Sequence, residues 1–102
     1  MNKCLYLSPE NRQVVFGTEQ ELLNAIEHLR DYVKQHGSIS VFSFRSYFGY
    51  DGDSKNDNLS TGWTDLKDMY GFQENSDSSH LKGKYVLCMP PIEIIYFNLR
   101  RC

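Results

Sequence analysis

The side chains of this 102-residue sequence that could do chemistry are three histidines, three cysteines and a run of closely spaced aspartates. A zinc site takes Cys and His ligands that lie close together on one turn or loop. His28 and His36 are eight positions apart, which is about 12 Å along a helix and too far for one zinc ion to bind both. The sequence therefore predicts no metal site and no cofactor.

The aspartate run, "DGDSKND" at residues 51–57, is similar to the beginning of a calcium-binding loop. A calcium loop of that kind needs an oxygen ligand at its fifth position, a glycine at its sixth and a bidentate glutamate at its twelfth. Here those positions hold Lys55, Asn56 and Gly62. The segment is better interpreted as a solvated loop than as a calcium site.

The cysteines give no sign of nucleophilic catalysis. Cys88 lies inside an apolar run, Cys4 has similar neighbours, and Cys102 is the last residue of the sequence. A reactive cysteine needs surroundings that favour its thiolate, which an apolar strand does not supply. Paired carboxylates occur only in polar loops, whereas general acid–base catalysis needs fixed geometry. We therefore expect no catalytic residue and a protein that is not an enzyme.

The odd number of cysteines and the N-terminal sequence bear on localisation. Three cysteines do not form a disulfide framework. Residues 1–13 contain no apolar run of the length that a signal peptide needs, and no apolar segment is long enough to span a membrane. The sequence predicts a cytoplasmic protein with free thiols and no membrane partner.

Charge is distributed unevenly along the chain. The net charge is −2, yet residues 49–80 hold seven acidic residues against two basic ones. This balance opposes direct nucleic-acid binding, which needs clustered Lys and Arg. The acidic stretch has two interpretations: a solvated loop, or a docking surface for a protein partner with a basic surface. In the second, the candidate partner-binding residues are Asp51, Asp53 and Asp57.

Aromatic side chains are concentrated between residues 47 and 72. Small cores and protein interfaces both favour such residues. We expect Trp63, Phe44, Phe48 and Phe72 to lie in the core. Tyr50 and Tyr70 are expected to be partly exposed and to complete the candidate binding surface.

The first half of the chain predicts a β-hairpin followed by one long amphipathic helix. Residues 3–7 and 12–16 are short apolar runs that a turn sequence, "SPEN", connects. Thr18 and Glu21 form a capping box, and Gly37 is suited to end a helix. The apolar residues between them recur at helical spacing, which predicts a helix over 19–35 with this apolar stripe: Leu22, Ile26, Leu29 and Val33.

The second half is less regular. Residues 39–50 suit either a strand or a short aromatic helix, and we favour the helix, with Ser40 as N-cap and Gly49 as terminator. Two polar loops are expected over 51–61 and 73–80, with a single helical turn capped by Thr64 between them. Residues 84–89 and 92–97 are predicted strands, separated by Pro90-Pro91. Together these elements predict one α+β domain over residues 1–102, in which the helix packs on a small antiparallel sheet.

Three segments of the second half carry a resemblance: "ISVFSFRSYFG" at 39–49, "GWTDL" at 62–66 and "KYVLCMPP" at 84–91. They resemble a pattern found in small phage and prophage proteins of Firmicutes. The resemblance covers about half of the chain. It implies a mobile-element context and a structural role for the Gly-Trp turn, and it does not imply a reaction.

Three functions follow as hypotheses. The first is a protein-binding module, such as a mobile-element-encoded inhibitor that docks on a host protein through the acidic loop. The second is a structural or assembly component of a phage particle, which would form ordered oligomers. The third is a small enzyme, which would need a pocket with converging polar groups.

Overall fold

The computed structural model describes residues 4–50 and 60–95. Within these residues the chain forms two helices and seven strands: β1 (Tyr6–Leu7), β2 (Gln13–Phe16), α1 (Glu19–His36), β3 (Ile39–Ser40), α2 (Val41–Tyr47), β4 (Thr61–Trp63), β5 (Tyr70–Gln73), β6 (Tyr85–Cys88) and β7 (Glu93–Ile94). The strands make two antiparallel sheets. This is an α+β fold with an N-terminal hairpin, as the sequence predicts. No helix among these residues is both long enough and apolar enough to cross a bilayer.

The larger sheet has the strand order β1-β2-β6-β5, and α1 packs against one of its faces. Leu22, Ala25 and Leu29 are the buried residues of α1. The helix comes so close to β5 that a Cβ atom at Gly71 would lie 2.9 Å from the Leu22 side chain. Val14 and Leu87 face each other across β2 and β6 and belong to the core beneath this helix.

The ends of α1 lie where the local signals place them. The Thr18 hydroxyl accepts a hydrogen bond from the Glu21 amide at 3.2 Å. Gly37 adopts a left-handed φ of 84° and its amide donates to the Val33 carbonyl, the usual geometry of a glycine C-cap. The helix runs one residue beyond the predicted end.

The smaller sheet, ordered β3-β4-β7, buries the single tryptophan. Trp63 is fully buried, and its indole Nε1 donates a hydrogen bond to the Pro90 carbonyl at 2.8 Å. The indole also meets Phe44 edge to face, with ring centroids 4.9 Å apart. A buried Trp is stabilised when its N–H has a partner in this way. The predicted structural role of Trp63 is confirmed.

The ambiguous segment contains a helix. Ser40 is the N-cap of α2 and accepts a hydrogen bond from the Ser43 amide at 3.1 Å. Gly49 follows the helix with a left-handed φ of 84°. The preference for a helix is confirmed, and strand structure is limited to Ile39–Ser40.

The helical turn predicted after Thr64 is wrong. The Thr64 hydroxyl and amide both bond to the Glu93 carboxylate, with the hydroxyl at 3.0 Å from the nearer oxygen. The Asp65 carboxylate accepts from the Lys67 amide at 2.9 Å, and a tight turn leads into β5. Because Thr64 and Asp65 are engaged by these partners, they do not begin a helix.

Two further predictions need correction. Phe72 is not in the core, since 38% of its surface is exposed and it lies on an edge strand. The two C-terminal strands belong to different sheets, since β6 joins the larger sheet and β7 the smaller one. The predicted loop over 51–61 lies mostly outside the described residues, although Thr61 begins β4. Gln73, placed in the second loop, is the last residue of β5.

Candidate functional site

The larger sheet has a second face, opposite α1, that carries an apolar floor. Side chains alternate between the faces of a strand, and the strand register aligns Val15 with Val86. Both are 1% exposed, yet neither belongs to the core cluster beneath α1. The register extends this row to Tyr6 on β1 and Phe72 on β5. We call this side of the sheet the outer face.

Large aromatic side chains border the floor and remain exposed. Tyr6, Tyr70 and Phe72 have 49%, 59% and 38% of their surface exposed. Tyr70 and Phe72 are two residues apart and therefore lie on the same side of β5. Their ring centroids are 6.2 Å apart, and the ring planes are 26° from parallel. We call these three residues the aromatic patch. Tyr70 and Phe72 are adjacent on β5, whereas Tyr6 lies on β1 at the opposite edge of the sheet. Adjacent exposed apolar residues on a small protein mark an interaction surface more often than scattered single residues do.

A cavity of about 330 Å³ adjoins the patch at the Tyr70 end, and Arg12, Gln13 and Cys88 are among its lining residues. The interaction of the Tyr70 hydroxyl with the Cys88 side chain raises the pKa of Tyr70 above its ordinary value. The phenol is therefore neutral near pH 7 and keeps a proton to donate. The cavity combines the Arg12 cation and the Glu10 carboxylate with an amide and a phenol.

The connection between β5 and β6 covers the other end of the outer face. Leu81, His80 and Tyr6 line a mostly apolar cavity of about 440 Å³ there, above Val15. Lys82 and Asp77, both in this connection, form an ion pair with each other. The outer face is consequently a partly roofed apolar surface, open along β5.

The predicted binding residues are placed as follows. Tyr70 lies on β5 at one end of the aromatic patch. Tyr50 follows α2 and is half-buried, with the Arg45 guanidinium carbon 5.2 Å from its ring centroid and its hydroxyl beside the Cys4 thiol. It shares none of these contacts with Tyr70. The three predicted acidic residues, Asp51, Asp53 and Asp57, lie outside the described residues.

Sequence reasoning missed Tyr6 and Phe72 as parts of this surface. A signal for them exists in "YVLC", residues 85–88, where the adjacent Val86 and Leu87 are both apolar. Neighbouring residues of a strand face opposite sides, so an apolar pair predicts a sheet covered on both faces. The alternation of Tyr70 and Phe72 across Gly71 is the matching signal for β5.

Other reactive groups do not converge on this surface. Among residues 4–50 and 60–95, no three His, Cys, Asp or Glu side chains lie close enough to hold a metal ion. Cys4 and Cys88 are free thiols, and burial raises the pKa of Cys4. A raised pKa makes a thiol less nucleophilic near neutral pH, because less of it is thiolate.

His28 lies at the contact between α1 and α2. The titration of this histidine is expected to make the stability of the fold depend on pH. Its ring stacks on Tyr47, with centroids 3.8 Å apart and planes 6° from parallel. Burial lowers the pKa of His28, although the nearby Asp31 acts in the opposite direction. The unfolded chain, whose histidine pKa is about 6.5, then binds a proton more readily than the folded chain does. Stability from this group is complete above pH 6.5 and is lost as the pH falls through the folded pKa.

We expect the free energy of unfolding, measured by urea titration, to decrease between pH 7.5 and pH 5.5. A His28→Phe variant, which keeps an aromatic ring against Tyr47, should reduce that decrease. His80→Gln is the matched control, because it removes an exposed histidine that takes no part in the contact between His28 and Tyr47. An identical pH profile for the parent and His28→Phe would contradict the assignment.

Comparison of the chain with protein-family models, curated proteins and solved structures finds no match. The resemblance to phage and prophage proteins therefore stays a prediction. The outer face is the feature of the described residues that bears on function.

Proposed function

We propose that this chain is a non-enzymatic protein-binding module that binds its partner through the aromatic patch of the outer face. The observation that carries the proposal is the exposure of Tyr6, Tyr70 and Phe72 beside a floor that is already buried. Tyrosine and phenylalanine are enriched in protein interfaces. Rigid aromatic rings contribute a large contact area while losing little conformational freedom on binding.

The acidic stretch 49–80, which contains β5, favours a partner with a basic surface, whereas Arg12 and Lys84 line the two cavities of the outer face and make the charge there mixed. Asp68 and Glu74 flank β5 on either side, and both lie in the acidic stretch 49–80. Asp51, Asp53 and Asp57 belong to the same stretch and are proposed to extend the acidic surface, with Tyr50 beside them. Such charges accelerate association with a basic partner and make it sensitive to salt. Single-stranded nucleic acid also stacks on aromatic residues, but it needs a positive groove, which this stretch opposes.

A mobile-element-encoded inhibitor of a host protein is one form that this module could take. That narrower proposal rests on the sequence resemblance alone. The binding proposal does not depend on it, because the aromatic patch is a property of the folded chain.

Affinity capture from a lysate of the source cells tests the proposal. The immobilised parent protein should retain a specific basic protein, and the double variant Tyr70→Ala/Phe72→Ala should lose it. Each aromatic residue in an interface is worth about 1–2 kcal/mol or more when truncated, so losing two should weaken binding by a factor of about 30 or more. Leu23→Ala is the matched control, since Leu23 is an exposed apolar residue on α1.

The acidic contribution needs its own variant. The triple change Asp51→Asn, Asp53→Asn and Asp57→Asn should slow association with the captured protein at low salt and lose its effect as salt is raised. Retention of the same proteins by the parent and the double aromatic variant would contradict the proposed surface.

A further inference from the structure

β5 is an edge strand of the larger sheet, and its outward-facing backbone amides and carbonyls can pair with another strand. Among residues 4–50 and 60–95, the larger sheet ends at β1 on one side and at β5 on the other. β1 is two residues long and is followed by Ser8-Pro9, which limits further pairing. β5 has four residues, Tyr-Gly-Phe-Gln, with no charge and no proline. Natural proteins usually protect an exposed edge strand with charged residues, proline or a bulge. β5 contains neither a charged residue nor a proline.

The hydrogen-bond phase of β5 identifies which backbone groups point outward. The Glu74 amide donates to the Lys84 carbonyl at 2.9 Å, continuing the pairing of β5 with β6. Along an antiparallel strand, every second residue directs its backbone amide and carbonyl to the strand on one side, and the residues between direct theirs to the other side. Phe72 and Tyr70 are therefore bonded to β6, whereas Gly71 and Gln73 direct their amides and carbonyls away from the sheet. Both are exposed.

We propose that two copies of this chain pair antiparallel along β5, with the two-fold axis at Phe72. In this register Gly71 of each copy faces Gln73 of the other, so that both outward-facing residues on each strand exchange amide–carbonyl hydrogen bonds. Phe72 then meets Phe72 of the second copy in a non-hydrogen-bonded pair, where cross-strand side chains come closest. The two larger sheets become one continuous eight-stranded sheet.

Charge is compatible with this arrangement. Glu74 is the nearest charged residue after β5, and it faces Tyr70 of the second copy rather than another carboxylate. Like charges directly opposite each other on neighbouring strands are destabilising, and this register avoids them. The pairing places Phe72, a residue of the aromatic patch, at the two-fold axis and leaves Tyr6 accessible on each copy. It is independent of the binding function proposed above, because self-association of the isolated chain is measured without a partner. A two-fold contact of this kind is self-complementary, as closed homodimers require.

The pairing is tested by placing a positive or a negative charge at Phe72, the residue on the two-fold axis. Sedimentation velocity over a range of concentrations then measures self-association. The parent should be a dimer. Phe72→Lys and Phe72→Glu should each be folded by circular dichroism and self-associate at least about tenfold more weakly, a factor that corresponds to ~1.4 kcal/mol. An equimolar mixture of the two should regain the dimer, because opposite charges then meet across the axis.

Two controls separate the edge from the face. Tyr6→Lys places the same charge on the same face at the opposite edge of the sheet and should keep the dimer. Gln73→Pro removes an outward-pointing amide without removing a bond within the sheet, and it should abolish the dimer. A parent that stays monomeric, which would leave the edge to a segment of another protein, overturns the proposal. So do charged variants that remain dimeric alone, or a mixture that remains monomeric.

Discussion

Replacing Trp63 with alanine is expected to lower the free energy of unfolding by about 3–5 kcal/mol, the usual cost of truncating a buried aromatic residue. Its side chain is fully buried and contacts Phe44 edge to face at 4.9 Å. The truncation also leaves the Pro90 carbonyl without the indole donor that bonds it at 2.8 Å. Domains of this size are stable by only about 5–15 kcal/mol, so the variant should be close to unfolding at room temperature.

Urea unfolding followed by circular dichroism measures this effect. Trp63→Phe keeps an aromatic ring against Phe44 and removes the donor together with part of the indole, so it should cost less than the alanine variant; loss of the donor alone costs about 1–3 kcal/mol. Leu23→Ala is the control for an exposed position and should change stability by less than about 1 kcal/mol. Tryptophan emission in the parent should be blue-shifted and protected from iodide; a red-shifted, easily quenched emission would contradict burial.

Gly62→Ala is expected to destabilise the protein by about 3 kcal/mol or more, at the upper end of what overpacking costs. A Cβ atom at Gly62 would lie 2.0 Å from the Ile39 carbonyl oxygen and 2.7 Å from the Ser40 Cα. Both are backbone atoms, so no side-chain rotation relieves the clash. β3 and β4 would have to separate, which would disturb the strand that carries Trp63.

Gly17→Ala is the matched control for this prediction. Its Cβ atom would meet only the ends of the Leu5 and Glu21 side chains, at an ordinary 3.7 and 3.9 Å. Replacing a glycine where the space and conformation suit alanine leaves stability unchanged or raises it by up to about 1 kcal/mol. Equal melting temperatures for Gly62→Ala and the parent would show that β3 and β4 are not packed as closely as described.

The features that the sequence predicts correctly are those that local signals determine. The capping box at Thr18, the apolar stripe through Leu22 and Leu29, and the C-cap at Gly37 all act within a few residues of one another. They determine α1 without reference to the rest of the chain. The same is true of Ser40, whose hydroxyl begins α2 by bonding the amide three residues later.

The features that the sequence does not predict depend on distant partners. β5 contains a glycine and only four residues, and it is a strand because β6 pairs with it. Thr64 was expected to cap a helix, but Glu93, far along the chain, engages it instead. The outer face also depends on strand pairing. Tyr6 and Phe72 lie on the same face as Val15 and Val86 only when β1, β2, β6 and β5 assemble into one sheet. The chain passes from β6 in one sheet to β7 in the other through Pro90-Pro91, a change of sheet that the strand pattern does not encode.

Hydroxyl-radical footprinting of the protein, alone and with its captured partner, tests the proposed binding surface most directly. The method reports the solvent accessibility of individual side chains. We predict that oxidation of Tyr70 and Phe72 slows several-fold when the partner binds, while oxidation of the equally exposed Leu23 does not change. Unchanged oxidation of Tyr70 and Phe72 in the complex, with protection elsewhere, would contradict the assignment of the outer face as the binding surface.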